Sequence, residues 1–211
     1  MLAQLLIASL MLLQGAAQAA PGRPLRIVAL GDSLVAGYGL PSNAAFPAAL
    51  ERALKGRGHA IEIVNAGVSG DTASGGLDRL DWSVPDGTDG VILELGANDM
   101  LRGQDPAATR RALEAIVTRL KARGIPVLLA GMYASRNLGP DYVQRFDAIY
   151  RDLAAKHGLV LYPFFLEGVV GQRQLNLPDG LHPTAKGVET IVERILPTVE
   201  SFLARASASR S

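Results

Sequence analysis

The sequence predicts a three-layer α/β/α sandwich on a five-stranded parallel sheet. Three observations lead there. Apolar runs of strand length alternate five times with segments of helical periodicity. No hairpin signal joins any two of those runs, and no period of 20–50 residues suggests repeats. Glycine-rich or polar stretches follow the strands, at the edge where open α/β sheets bind ligands. Right-handed crossovers in a single sheet of this size favour a flavodoxin-like strand order, 2-1-3-4-5.

Residues 1–20 stand apart from this pattern. Leu5 to Leu13 form an apolar core too short to cross a bilayer comfortably. Ala17-Gln18-Ala19 then offers a small-x-small cleavage site before Pro21-Gly22. The stretch reads as a signal peptide that is removed, leaving one domain over residues 21–211 in the periplasm or outside the cell. It departs from the usual pattern in having no Lys or Arg ahead of the apolar core. No second apolar segment approaches spanning length, so no stable membrane insertion of the mature chain is expected.

The first strand is predicted at 25–30, Leu-Arg-Ile-Val-Ala-Leu, and Gly31-Asp32-Ser33 ends it. Phe46, Leu50, Ala53 and Leu54 recur at helical spacing between Ser42-Asn43 and the stop glycines 56 and 58. Residues 60–65 form the second strand. Asp71 or Thr72 caps a short helix holding Leu77 and Leu80. Gly75-Gly76 weakens that helix by about 1 kcal/mol per glycine, so mobility is expected there. The near-continuous apolar run at 89–96 suits a central strand buried on both faces.

Asp105-Pro106 starts a helix in which Leu113, Ile116, Val117 and Leu120 share a face, and Gly124 stops it. A fourth strand follows at 125–131. Next comes a helix with Tyr142, Phe146, Ile149, Tyr150 and Leu153 on one side, and then a short fifth strand at 159–162. After a long loop, 163–183, the last helix carries Val188, Ile191, Val192, Ile195 and Leu196. Pro197 is expected to kink or break it, and the Ser/Ala/Arg-rich tail to fray from about 205.

Composition narrows the function. The chain has 211 residues, 48% of them apolar, which suits one domain with a sizeable core. Its 21 basic and 20 acidic residues leave a net charge of +1, so nothing favours nucleic acid or an anionic membrane surface as partner. No partner chain is marked, and a monomer is the favoured state. With no cysteine, disulfides, thiolate catalysis and cysteine metal sites are excluded.

The chemistry gathers at one sheet edge. Ser33, Gly70, Asn98 and the pair Asp179 and His182 follow the first, second, third and fifth strands. A serine nucleophile needs a base within hydrogen-bond reach and a group that orients the base. Of three histidines, His59 precedes a strand at the opposite edge, and His157 closes a helix beside Gly158, where a cation is an ordinary feature. Only His182 lies on the edge with Ser33, and Asp179 is three residues before it. Taken alone, Asp-Gly-Leu-His-Pro reads equally well as a turn before a helix, and serine after a strand is common. Their convergence on one edge carries the reading. Acyl transfer also needs donors for an oxyanion. The candidates are the backbone N–H groups of Ser33 and Gly70 and the side-chain amide of Asn98. A turn glycine and an Asx turn are the alternative readings of the last two.

These segments carry a resemblance. Gly-Asp-Ser at 31–33, Gly70 within Asn-Ala-Gly-Val-Ser-Gly-Asp-Thr, Gly-Ala-Asn-Asp at 96–99 and Asp-Gly-Leu-His-Pro at 179–183 resemble the four blocks of the SGNH (GDSL) hydrolases, in order and spacing. Within that family the chain is most similar to bacterial periplasmic enzymes with acyl-CoA thioesterase, lysophospholipase and arylesterase activity. The resemblance implies Ser33 as nucleophile, His182 as base and Asp179 as its orienting partner. It also implies Ser33, Gly70 and Asn98 as oxyanion donors, and no metal or organic cofactor.

Rival enzyme patterns are missing. There is no Gly-x-Ser-x-Gly elbow, no phosphate-binding Gly-x-x-x-x-Gly-Lys loop and no dinucleotide fingerprint around Gly37-Tyr38-Gly39. The expected substrate is a small-molecule acyl ester or thioester. Leu77, Leu80 and Trp82 after the second strand, and Met132, Tyr133 and Leu138 after the fourth, are candidates to line an acyl groove, though packing against the sheet explains them equally well. A carbohydrate O-deacetylase of the same family and a non-catalytic binding module on the same scaffold are the alternatives.

Overall fold

Five parallel strands form one sheet in the order 2-1-3-4-5. The computed structural model describes residues 23–208, so the signal-peptide reading of 1–20 lies outside the described residues. In chain order the elements are β1 (Leu25–Gly31), α1 (Ser33–Ala36), α2 (Phe46–Gly56), β2 (Ile61–Gly67), α3 (Ala73–Asp78), α4 (Leu80–Ser83) and β3 (Gly90–Glu94). They continue with α5 (Ala97–Leu101), α6 (Pro106–Ala122), β4 (Val127–Ala130), α7 (Pro140–His157), β5 (Val160–Tyr162) and α8 (Ala185–Ala208).

The apolar strands lie where their composition requires. Ile27 to Leu30 of β1 and Val91 to Leu93 of β3 are wholly inaccessible, because helices cover both faces. Helices α2 and α8 pack together on one side, while α3, α6 and α7 form the other layer. The α8 layer sits so close that a Cβ on Gly90 would stand 2.7 Å from the Phe202 ring. Helix α6 starts as its sequence demands, with Asp105 accepting from the Ala107 N–H ahead of Pro106. In register, Gly31 pairs with Gly67 on one side and Glu94 on the other. That alignment brings the ends of the three strands carrying Ser33, Gly70 and Asn98 level with one another.

Two local expectations are corrected. Helix α8 runs unbroken from Ala185 to Ala208 through Pro197. The missing amide costs one backbone bond to Glu193, while Leu196, Val199, Phe202 and Leu203 stay buried on the sheet and hold the turn in place. Ala206 is also buried, so the helix persists past 205. The Gly75-Gly76 pair serves packing. A Cβ on Gly76 would stand 2.3 Å from Leu95, and Thr72 caps the helix through the Gly75 N–H. No helix among the described residues is long and apolar enough to cross a membrane.

Candidate active site

Ser33 opens α1 directly after β1. Asp32 is the N-cap, its Oδ1 accepting from the Leu34 N–H at 2.9 Å. This tight strand-to-helix turn holds the Ser33 hydroxyl at the carboxyl edge of the sheet, 8% exposed. His182 reaches it from the loop before α8. Its Nε2 lies 2.9 Å from Ser33 Oγ, and its Nδ1 lies 2.7 Å from Asp179 Oδ2.

The loop is built to hold that geometry. Asp179 Oδ1 accepts from the N–H groups of Leu181 and His182, and the Leu177 N–H donates to the His182 carbonyl at 2.7 Å. The hydrogen bond from His182, with those two backbone N–H groups, lowers the Asp179 pKa to about 2. An ionised Asp179 only accepts, so Nδ1 carries the proton and Nε2 presents its lone pair to the serine. Tyr38 lies against the imidazole, with ring centroids 4.5 Å apart. The arrangement can take a proton from a serine as the serine attacks.

The predicted donors lie on neighbouring strand ends. Asn98 sits in the first turn of α5, half-buried, with its Nδ2 donating to Asp32 Oδ2 at 3.0 Å. Gly96 provides the entry to that helix at φ +116, and a Cβ there would collide with the Tyr150 hydroxyl at 2.2 Å. Gly70 follows β2 at φ +83, and its carbonyl accepts from Arg102 Nη2 at 2.7 Å. Arg102 caps α5, so one side chain ties the Gly70 turn to the helix bearing Asn98. The other histidines are occupied far from Ser33, His59 against Glu200 and His157 against Glu114.

Comparisons with known proteins place the chain in a family. Residues 29–189 match the GDSL-like lipase/acylhydrolase family. The chain belongs to this family, the SGNH hydrolases. It is 36% identical to the esterase TesA of Pseudomonas aeruginosa over 84% of this chain and 89% of that protein. It is 39% identical to thioesterase 1/protease 1/lysophospholipase L1 of Escherichia coli, over 74% of each chain. Among solved structures, the crystal structure of TesA gives a TM-score of 0.80 at 36% identity, covering 84% of this chain and 99% of that one. The SGNH-hydrolase esterase AlinE4 gives 0.73 at 46% identity, over 86% and 98%.

A cleft of about 750 Å³ opens beside Ser33 and His182 in this SGNH hydrolase. Met132 and Tyr133 line it as expected, and Tyr133 stacks on Phe164 at 4.7 Å. Leu77, Leu80 and Leu138 do not line it. Leu80 is wholly buried in the core, and Leu77 and Leu138 pack against that core. Arg79 explains the first two. It pairs with Asp71 and donates to the carbonyls of Gly31 and Ala66, fastening α3 and α4 to the sheet so that their leucines face inward. Trp82 is 85% exposed and lies outside the cleft. The apolar wall comes instead from Leu101, Phe164, Leu166, Val170 and Leu181.

Sequence reasoning missed Phe164, Leu166, Val170 and Leu181 because an irregular loop has no period to read, and Leu101 because it ends the short helix α5. It also read Asp32 only as holding the turn, as its cap on Leu34 shows, and gave Glu94 no role. Glu94 carried a signal, since it is the only charged residue in the apolar run of β3.

Proposed function

We propose that Ser33 is the nucleophile of this ester-hydrolysing enzyme, with His182 as general base and Asp179 holding the imidazole. The proposal rests on the unbroken relay from Asp179 through His182 to the Ser33 hydroxyl, at 2.7 and 2.9 Å. Ser33 Oγ attacks the carbonyl carbon of an ester or thioester, and its proton passes to His182 Nε2. The Ser33 and Gly70 N–H groups and the Asn98 amide hold the resulting oxyanion. His182 returns the proton to the departing alcohol or thiol. A water activated by the same imidazole then releases the acyl group from Ser33.

The substrate class follows from the cleft. Leu101, Phe164, Leu166, Val170 and Leu181 offer an acyl chain an apolar wall, which favours acyl esters and thioesters over acetylated sugars. Aryl esters, acyl-CoA and lysophospholipids all present such a chain to a compact leaving group. The relatives named for those activities support the same reading. We assign the mature enzyme to the periplasm or the exterior on the signal-peptide pattern of residues 1–20. It acts as a monomer without metal or organic cofactor.

A fluorophosphonate probe tests the nucleophile. The wild type is labelled on Ser33, and Ser33→Ala loses labelling together with about 10⁴–10⁶ in kcat on p-nitrophenyl esters. A Ser33→Ala variant with near-wild-type activity would overturn the assignment. A panel of p-nitrophenyl esters from C2 to C16, with acyl-CoA and acetylated sugars alongside, fixes the preferred class.

A further inference from the structure

We propose that Asp32 and Glu94 form a positioning pair that shares one proton and aims the side-chain amide of Asn98 at the oxyanion. The proposal rests on reading Asn98 as an oxyanion donor.

The two carboxyls meet at the floor of the site. Asp32 and Glu94 are both completely inaccessible to solvent. Glu94 ends β3 beside Gly31, which leaves space for it, since a Cβ on Gly31 would stand 2.8 Å from Glu94 Oε2. The Asp32 N–H approaches that same oxygen at 3.4 Å, and Glu94 Oε1 is buried with no hydrogen-bond partner. Among the described residues neither carboxyl is ion-paired to a lysine or arginine. Asp32 faces Glu94, Asn98 and His182. Near Glu94, Tyr150 of α7 gives its hydroxyl to the Leu95 carbonyl, and Asp99 of α5 is already engaged by the Ala73 N–H and the Thr109 hydroxyl.

Two carboxyls buried together beside one backbone N–H do not both ionise. Burial, reinforced by the charge on Asp32, holds Glu94 well above the usual carboxylate range. Burial also raises Asp32, to about 6, against the opposing pull of the Leu34 N–H, the Asn98 amide, Glu94 and His182. Glu94 therefore keeps the proton at neutral pH, and Asp32 carries the charge.

That charge decides which way Asn98 faces. A carboxylate accepts and cannot donate, so it selects the NH₂ end of the amide at 3.0 Å. The second N–H is left for the substrate. A protonated Asp32 can donate to the amide oxygen instead, and the flipped amide would turn a lone pair toward a developing negative charge. Asp32 thus controls the donor without touching the reacting atoms.

A double-mutant cycle with a pH profile tests the pair. Asp32→Asn keeps the acceptor for Leu34 and the shape of the turn. It is expected to lower kcat on p-nitrophenyl butyrate by about 10²-fold and to move KM less than threefold. In the Asn98→Ala background, which itself loses roughly 10²–10³, Asp32→Asn should add almost nothing. Glu94→Leu removes the donor to Asp32, and the acid limb of kcat should move to higher pH. Glu94→Gln restores a donor and should move the limb much less. Additive losses from Asp32→Asn and Asn98→Ala, or an identical acid limb in the two Glu94 variants, would overturn the pair. If Asn98→Ala alone costs nothing, the oxyanion reading fails and takes the pair with it. If Ser33→Ala stays active, the nucleophile is wrong instead, and the two failures are told apart.

Discussion

Two aspartates serve the same edge of the sheet under opposite conditions. Asp179 stands on the exposed loop before α8, where bonds from His182 and two backbone N–H groups bring its pKa to about 2. Asp32 follows β1 as the cap of α1 with no surface open to solvent, where burial brings its pKa to about 6. The difference follows from what each carboxylate holds. The imidazole on Asp179 must gain a proton during every cycle, so its partner has to stay charged, and solvent makes that easy. The amide on Asp32 never changes protonation, but it must not rotate. A water molecule competing for the amide would loosen it, so a dry carboxylate suits this task despite its cost in desolvation.

The largest expected effects test the wet half. His182→Ala should lower kcat by about 10⁴–10⁶, because the proton of Ser33 then has no acceptor. Asp179→Asn should cost less, on the order of 10³–10⁴, since the imidazole remains but loses its tautomer and its hold. Steady-state kinetics on p-nitrophenyl esters reads both. Asp179 stays ionised down to about pH 2. Its loss disturbs the imidazole and not the buried carboxyls, so the difference in acid limb between Glu94→Leu and Glu94→Gln should persist in the Asp179→Asn background, and a difference that vanished with Asp179 would merge the two halves.

The next effect concerns stability and belongs to the dry half. The folded pKa of Asp32 is raised from 3.8 to about 6, so between those values the native state binds the proton more tightly than the unfolded chain. Stability from this group is thus lost as pH rises through that window. Two units correspond to roughly 3 kcal/mol. Urea unfolding of wild type and Asp32→Asn from pH 4 to pH 8 should show the wild type losing ground by about that amount relative to the variant. A constant difference across the window would mean that Asp32 is not desolvated in solution.

The same contrast between wet loop and dry strand ends explains what was legible in the sequence. The strand ends, the four blocks and the placing of Ser33, Asp179 and His182 on one edge rest on punctuation, with glycines at 31, 70 and 96 and the Pro-Asp-Gly turn at 178–180, while the strand order rests on crossover handedness. The acyl wall was only half legible. Met132 and Tyr133 follow a strand end directly, whereas Val170 and Leu181 lie in a long loop whose path is set by contacts such as Asn176 Nδ2 to the Val169 carbonyl. Leu80 misled because a leucine near a site and a leucine under a helix look identical until Arg79 fixes the helix orientation. Pro197 misled because tertiary burial along α8 outweighs one missing backbone bond.

The smallest effect separates that wall from the chemistry. Val170 and Leu181 are 57% and 50% exposed, and both line the cleft. Neither touches the relay through its side chain, so their contribution is to cover an acyl chain once it is bound. Each chain methylene removed from water is worth about 0.8 kcal/mol, and a half-exposed valine covers about one of them. Val170→Ser should therefore lower kcat/KM for octanoyl esters by roughly fourfold and leave acetyl esters unchanged, with kcat on the shortest ester as the control. A uniform loss on C2 and C8 esters would place Val170 in the support of the His182 loop. An unchanged profile would put the acyl chain against the Leu101 side of the cleft.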